Sequence, residues 1–247
     1  MTWAILSGIE GNLAAYEAVL ADLQQRPETI ETLFILGDVI GPTADNLKLV
    51  ERVQQPRPGE PRPAVCLGWW EEQALTLYAL GRSGEPTELI ERYGMAMVKQ
   101  LWDSVPRELT GWLSQLEFGF MELDCLLIHG SPAGVSEALT PETSPLRLMD
   151  RLQRLQANRL FCGRSGQSFV YEIAAAQSTS QVTTLAGSSQ STWERPGVQK
   201  VIGVGNVGRE PGRASYVLYE PGSDQLRQQV IAYGAGRGFG RGASLGR

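Results

Sequence analysis

The stretch that most constrains the fold is Leu33-Phe34-Ile35-Leu36-Gly37-Asp38-Val39-Ile40-Gly41. Four consecutive apolar side chains running into glycine suit a strand buried on both faces, and such a strand needs packing layers on either side of its sheet. The glycines allow a sharp turn just past the strand end, which leaves Asp38 at the mouth of the sheet. In open α/β sheets ligands bind outside the carboxyl ends of the strands, so a carboxylate there is a first suspect for chemistry. The competing reading is a turn aspartate that caps a helix, since short Asp side chains favour turns.

The neighbouring segments extend this pattern. Trp3 to Ser7 reads as a strand and Gly8 to Asn12 as a loop. Leu13, Tyr16, Leu20 and Leu23 recur at helical spacing behind a capping Asn12, with Pro27 beyond the end. Strand, helix and the Leu33 strand form a βαβ unit, which favours parallel pairing. Ala44 to Val53 reads as a second helix, Gln55 to Pro63 as a proline-rich connection, and Ala64 to Gly68 as another strand running into glycine. From Gln73 to Leu116 the pattern is mostly helical, broken near Gly81 to Pro86 and at Pro106. Phe118 to Leu123 and Cys125 to Ile128 suggest an antiparallel pair, followed by a helix over Leu146 to Leu155 and a short strand at Arg159 to Cys162. Strand-like runs near Phe169, Val182, Lys200, Ser215 and Gln228 suggest a second, more antiparallel sheet.

With 247 residues, 42% of them hydrophobic, the chain has the material for one large core, and the expected organisation is one domain over 1–233 followed by a flexible Gly/Arg-rich tail over 234–247. A net charge of -5 makes nucleic acid an unexpected partner. No apolar run approaches the roughly 18 to 20 residues needed to span a bilayer, and the N-terminus does not read as a leader. A cytoplasmic protein is the expectation. Cys66, Cys125 and Cys162 are widely spaced and suggest buried thiols in a reducing compartment. There is a single histidine, His129.

Five strand ends, each leading into a glycine-containing loop, carry a family resemblance. Leu6-Ser7-Gly8-Ile9-Glu10-Gly11-Asn12, Gly37-Asp38-Val39, Gly68-Trp69-Trp70-Glu71, His129-Gly130-Ser131-Pro132 and Gly163-Arg164-Ser165-Gly166 follow one another in the order of the I-S-D-I-H-G-N, G-D, G-N-H, H-G-S-P and G-H-T-H motifs. Gly205-Asn206-Val207-Gly208 resembles the closing asparagine-proline-glycine-serine turn. In these features the chain resembles the small bacterial branch of the calcineurin-like metallophosphoesterases, over about residues 2 to 232. The resemblance implies an α/β fold: a four-layer αββα sandwich of two mixed β-sheets flanked by helices. It also implies metal-assisted hydrolysis of phosphate esters, with two divalent cations clamping the phosphate and activating water.

Most of the implied ligands are replaced. Only Asp38, the metal-bridging position, and His129 carry the family's residue; Gly8 and Glu10 stand for aspartate and histidine, Trp69 and Trp70 for asparagine and histidine, and Arg164 and Gly166 for two histidines. Tryptophan and arginine do not ligate divalent metals. The expectation is a pseudoenzyme without a cofactor, acting as a binding or regulatory protein with a protein partner. Two alternatives stay open. Glu10, Asp38 and His129 would retain one Mg²⁺ or Mn²⁺ in a residual phosphoesterase; or the chain binds a nucleotide or phosphate ligand without metal, using Arg164, Asn12 and a stacking surface at Trp69 or Trp70. Otherwise those tryptophans fill the emptied metal cavity. Arg164 is expected to pair with Glu10, Asp38 or both, as a substitute for the metal charge. His129 is expected to be held by hydrogen bonds as a structural residue, with Asp38 or a loop carbonyl as acceptor.

Overall fold

Alternation along the central strands decides the layering. In β1 (Thr2–Leu6), Trp3 and Ile5 enter one apolar cluster while Ala4 and Leu6 enter another; in β2 (Ile30–Leu36), Phe34 and Leu36 divide from Leu33 and Ile35 in the same way. Side chains alternate across a strand, so a strand that is apolar at every position feeds two cores. Cys125 and Leu127 of β5 (Cys125–Ile128) join Trp3 and Phe34, whereas Leu126 and Ile128 face a third cluster. Three cores separate four layers, and the order is helix, sheet, sheet, helix. The structure, a computed structural model, describes residues 1–78, 86–174, 180–184, 190–191 and 198–234.

The first sheet has the strand order β3-β2-β1-β11-β12-β9, with β3 at Pro63–Cys66, β9 at Gln190–Ser191, β11 at Arg213–Glu220 and β12 at Gln225–Ala232. The second runs β4-β5-β6-β10-β7-β8, with β4 at Gly119–Glu122, β6 at Arg159–Cys162, β7 at Ser168–Ala174, β8 at Ser180–Thr184 and β10 at Val198–Val204. β1, β2 and β3 are mutually parallel, as are β5, β6 and β10, so both sheets are mixed. This is the expected four-layer sandwich, and the β1-to-β2 pairing is the parallel one that the βαβ reading requires. β4 and β5 form the expected antiparallel pair.

Helices α1 (Leu13–Gln24), α2 (Asn46–Gln54), α3 (Trp69–Leu77), α4 (Thr87–Tyr93), α5 (Met95–Ser104) and α6 (Thr110–Leu113) precede the second sheet, and α7 (Pro145–Arg154) buries Leu148 and Leu152 against it. Two expectations need correction. The helical section begins at Trp69, not Gln73, because the Asp38 carboxylate supplies an acceptor for its first turn. The C-terminal strands do not make up a sheet of their own. β11 pairs antiparallel with β1, since fully buried β1 needs a partner on each edge and β11 is apolar on both faces, with Tyr216 and Leu218 toward the helices and Val217 and Tyr219 toward the second sheet. The three thiols are free and buried. Of the Gly/Arg-rich tail, residues 235–247 lie outside the described residues.

Candidate functional site

The loops that follow β1, β2, β3, β5, β6 and β10 all leave the carboxyl ends of parallel strands, and they carry Glu10, Asp38, Trp69, His129, Arg164 and Arg209 respectively. The first two are laced together by Glu10 N–H donating to Asp38 O and Gly11 N–H donating to Val39 O, both at 2.8 Å. Glu10 and Asp38 both adopt left-handed backbone, with φ of 51° and 52°. Such conformations cost non-glycine residues roughly 1–2 kcal/mol and persist where surrounding contacts demand them.

Asp38 is fully buried and fully engaged. Its Oδ1 accepts from Trp70 N–H at 2.9 Å in the first turn of α3, which is a helix-capping role. Its Oδ2 accepts from Arg209 Nη2 at 2.9 Å, while Arg209 Nε donates to Glu10 Oε1 at 2.6 Å. A Cβ at Gly68 would lie 2.0 Å from Asp38 N, so only glycine lets the third loop approach this closely.

Beneath Asp38 lies a second carboxylate. Glu71 is also fully buried and receives Asp38 N–H at 2.8 Å on Oε2 and Ile40 N–H at 2.9 Å on Oε1. Burial, reinforced by the negative Asp38, pushes its carboxyl up to about 8. Burial also raises Glu10 above the ordinary carboxylate range, although Arg209 opposes it.

His129 is held as expected at one ring nitrogen: Nδ1 donates to Leu36 O at 2.8 Å. That bond fixes the neutral tautomer and turns an unprotonated Nε2 toward Asp38 Oδ2, 3.3 Å away and without a hydrogen bond. Burial lowers its pKa, partly offset by Asp38, so the imidazole is neutral near pH 7.

Arg164 departs from expectation, because the ion pair foreseen for it is made by Arg209. Arg164 is only 6% exposed, and its guanidinium lies over the Trp69 ring, 4.5 Å from the centroid. The backbone explains the direction: its N–H donates to His129 O at 2.7 Å and its carbonyl accepts from Arg209 Nη1 at 3.1 Å. Trp69 and Trp70 are core residues, packed edge-to-face on each other at 4.7 Å and against Tyr93, so they present no open stacking surface. Asn12 is likewise occupied. Its Oδ1 caps α1 at Ala15 N–H, and its Nδ2 donates to Gly208 O and Tyr233 Oη.

Arg209 and Glu71 are the residues that sequence reasoning missed. Arg209 follows Gly208, where the matched turn would have serine, and that was the available signal. Its guanidinium occupies space left by two absent side chains. A Cβ at Gly8 would come 3.2 Å from Arg209 Nε, and one at Gly166 would come 2.5 Å from Nη1. These are the positions at which the resemblance implies an aspartate and a histidine. The donor set does not fit a divalent centre. Asp38 and Glu10 are committed to a guanidinium, and no group of three or more His, Cys, Asp or Glu side chains among the described residues could hold an ion.

No protein-family model and no curated protein matches this sequence. Solved structures do. A metallophosphoesterase from Sphaerobacter thermophilus superposes with a TM-score of 0.69, at 20% identity, over 94% of this chain and 89% of that one. A protein named as a candidate diadenosine tetraphosphatase superposes with a TM-score of 0.51, at 15% identity, over 95% of each chain.

Proposed function

We propose that this chain, which has the calcineurin-like metallophosphoesterase fold, is a metal-free, non-hydrolytic protein that acts by binding. The observation that carries the reading is the Arg209 guanidinium clamped between Glu10 and Asp38. In metal-assisted phosphoester hydrolysis, divalent cations orient the phosphate and lower the pKa of the attacking water. Here a permanent cation satisfies the two carboxylates but has no open coordination position, so it neutralises charge without activating water. The neutral His129 is sealed in the interior beside Asp38, without contact with solvent.

Binding or regulation is the remaining use for a large, ordered α/β scaffold. A protein partner in the cytoplasm, as the sequence suggests, forms part of this proposal. No helix among the described residues is long and apolar enough to cross a membrane.

Elemental analysis of purified protein, paired with hydrolysis of a generic phosphodiester in the presence of Mn²⁺, tests the proposal. The expected result is no stoichiometric metal and no turnover above buffer. Stoichiometric Mn, Fe or Zn, with turnover abolished by Asp38→Asn, would overturn it and restore the residual phosphoesterase.

A further inference from the structure

Arg164 is buried, yet two of its guanidinium nitrogens, Nε and Nη2, have no hydrogen-bond partner. Those two N–H groups form the side-on edge of the guanidinium, the edge that meets two oxygens of one carboxylate or phosphate in parallel hydrogen bonds. A buried cation left with this edge open is costly, whereas the partly buried Arg209 of the same site spends its donors on two carboxylates and a carbonyl. The neighbouring indole Nε1 of Trp69 is a buried donor without a partner as well.

A second cation stands on the same indole: Arg92 of α4 lies 5.9 Å from the Trp69 centroid. Two guanidiniums gathered on one ring repel each other; Glu88 meets Arg92 only at 3.8 Å on the exposed side, and an anion beside Arg164 relieves the repulsion further. Arg92 and Tyr93 are both substantially exposed, so α4 provides the side from which a ligand arrives.

The geometry points to an oxyanion site at the Arg164 edge, with Trp69 beside it and Arg92 at its mouth, recognising a group that offers two oxygens on one centre: a phosphate or a carboxylate. This inference rests on the metal-free reading above and gives its ligand a chemical class. The charge of Asp38 acts on Arg164, but neither Asp38 nor Glu10 hydrogen-bonds its open edge, because Arg209 already holds them.

Isothermal titration calorimetry in EDTA with inorganic phosphate, AMP and malonate separates the sources. Phosphate and AMP binding alike identify the phosphate group, AMP alone a nucleotide, and malonate alone a carboxylate. Arg164→Lys keeps the charge but removes the fork, and is expected to weaken binding by about 10-fold or more. Arg92→Gln, at an exposed position where folding is not at stake, is expected to weaken it by about 3-fold or more. No binding of any probe at millimolar concentration, with or without Mn²⁺, overturns this inference and leaves the metal-free reading standing. Binding that appears only with Mn²⁺ overturns both. Wild-type affinity in Arg164→Lys and Arg92→Gln together places any ligand elsewhere and also overturns it.

Discussion

Two arginines face the same buried aspartate region and end in opposite states. Arg209 makes a salt bridge to Glu10 at 2.6 Å and to Asp38 at 2.9 Å, whereas Arg164 leaves its bidentate edge unpartnered and lies on a tryptophan face. Both are largely withdrawn from water, so burial alone does not separate them. The difference is what each charge answers. One neutralises carboxylates that the fold has trapped; the other has no counter-charge in hydrogen-bond contact.

That contrast is broken most directly by removing each arginine in turn. Arg209→Ala strands Asp38 and Glu10 and is expected to cost about 3–5 kcal/mol in urea denaturation, the range for breaking one side of a buried ion pair. A loss below about 1 kcal/mol would mean that the pair is solvated and that the two arginines are alike. Glu71→Gln comes next, at about 1–3 kcal/mol, because an amide has only one oxygen to accept from Asp38 N–H and Ile40 N–H.

The same substitution has a pH signature. Glu71 is held near pKa 8 when folded, against an ordinary 4.5, so the folded chain keeps a proton that the unfolded chain releases. Its contribution therefore makes stability fall as pH rises from about 4.5 to about 8. His129, lowered by burial, acts the other way below its ordinary 6.5, where the unfolded state holds the extra proton. Between pH 6.5 and 8 the Glu71 slope stands alone of the two, and Glu71→Gln is expected to flatten it in urea melts measured across that range.

Gly166→Ala tests the space that Arg209 occupies. Its φ of 70° and the 2.5 Å approach to Arg209 Nη1 predict a cost of about 1–2 kcal/mol or more. In the double variant with Arg209→Ala the clash disappears and only the backbone strain remains. The two costs should then sum to more than the measured total in a double-mutant cycle. The smallest effect is expected at Arg164→Met, which removes an unsatisfied buried cation and keeps an apolar stem on Trp69. Its stability should stay within about 1 kcal/mol of wild type in the absence of oxyanion. A loss as large as that of Arg209→Ala would erase the distinction between the two residues.

Local chemistry made much of the fold readable. The Leu33 to Asp38 run, the helical stripe behind Asn12 and the short apolar strands ending in glycine correspond to β2, α1 and the strand ends around the site. Asp38 was found as a carboxylate at a strand end, and His129 as the single histidine, heading a segment that carries the family resemblance. Arg209 was missed because it sits 171 residues from Asp38 and its partners are set by loop convergence. Glu71 stood in the Gly68-Trp69-Trp70-Glu71 segment, ahead of a helix expected from Gln73; its partners, two backbone N–H groups of another loop, leave no trace in its neighbours.

The sequence by itself determined most of the strands and the α/β class, since these follow from residue type and local periodicity; the replacement of metal ligands was read only from the resemblance of its motifs. Tertiary structure decided which arginine answers which charge. Arg164 and Arg209 carry the same guanidinium, and their neighbours in sequence do not tell them apart. Arg164 is anchored to His129 by its backbone and directed onto Trp69, while Arg209 enters the space beside Gly8 and Gly166 and meets Glu10 and Asp38 there. A long side chain's partner is fixed by the directions in which several loops converge, and that geometry exists only once both sheets have packed.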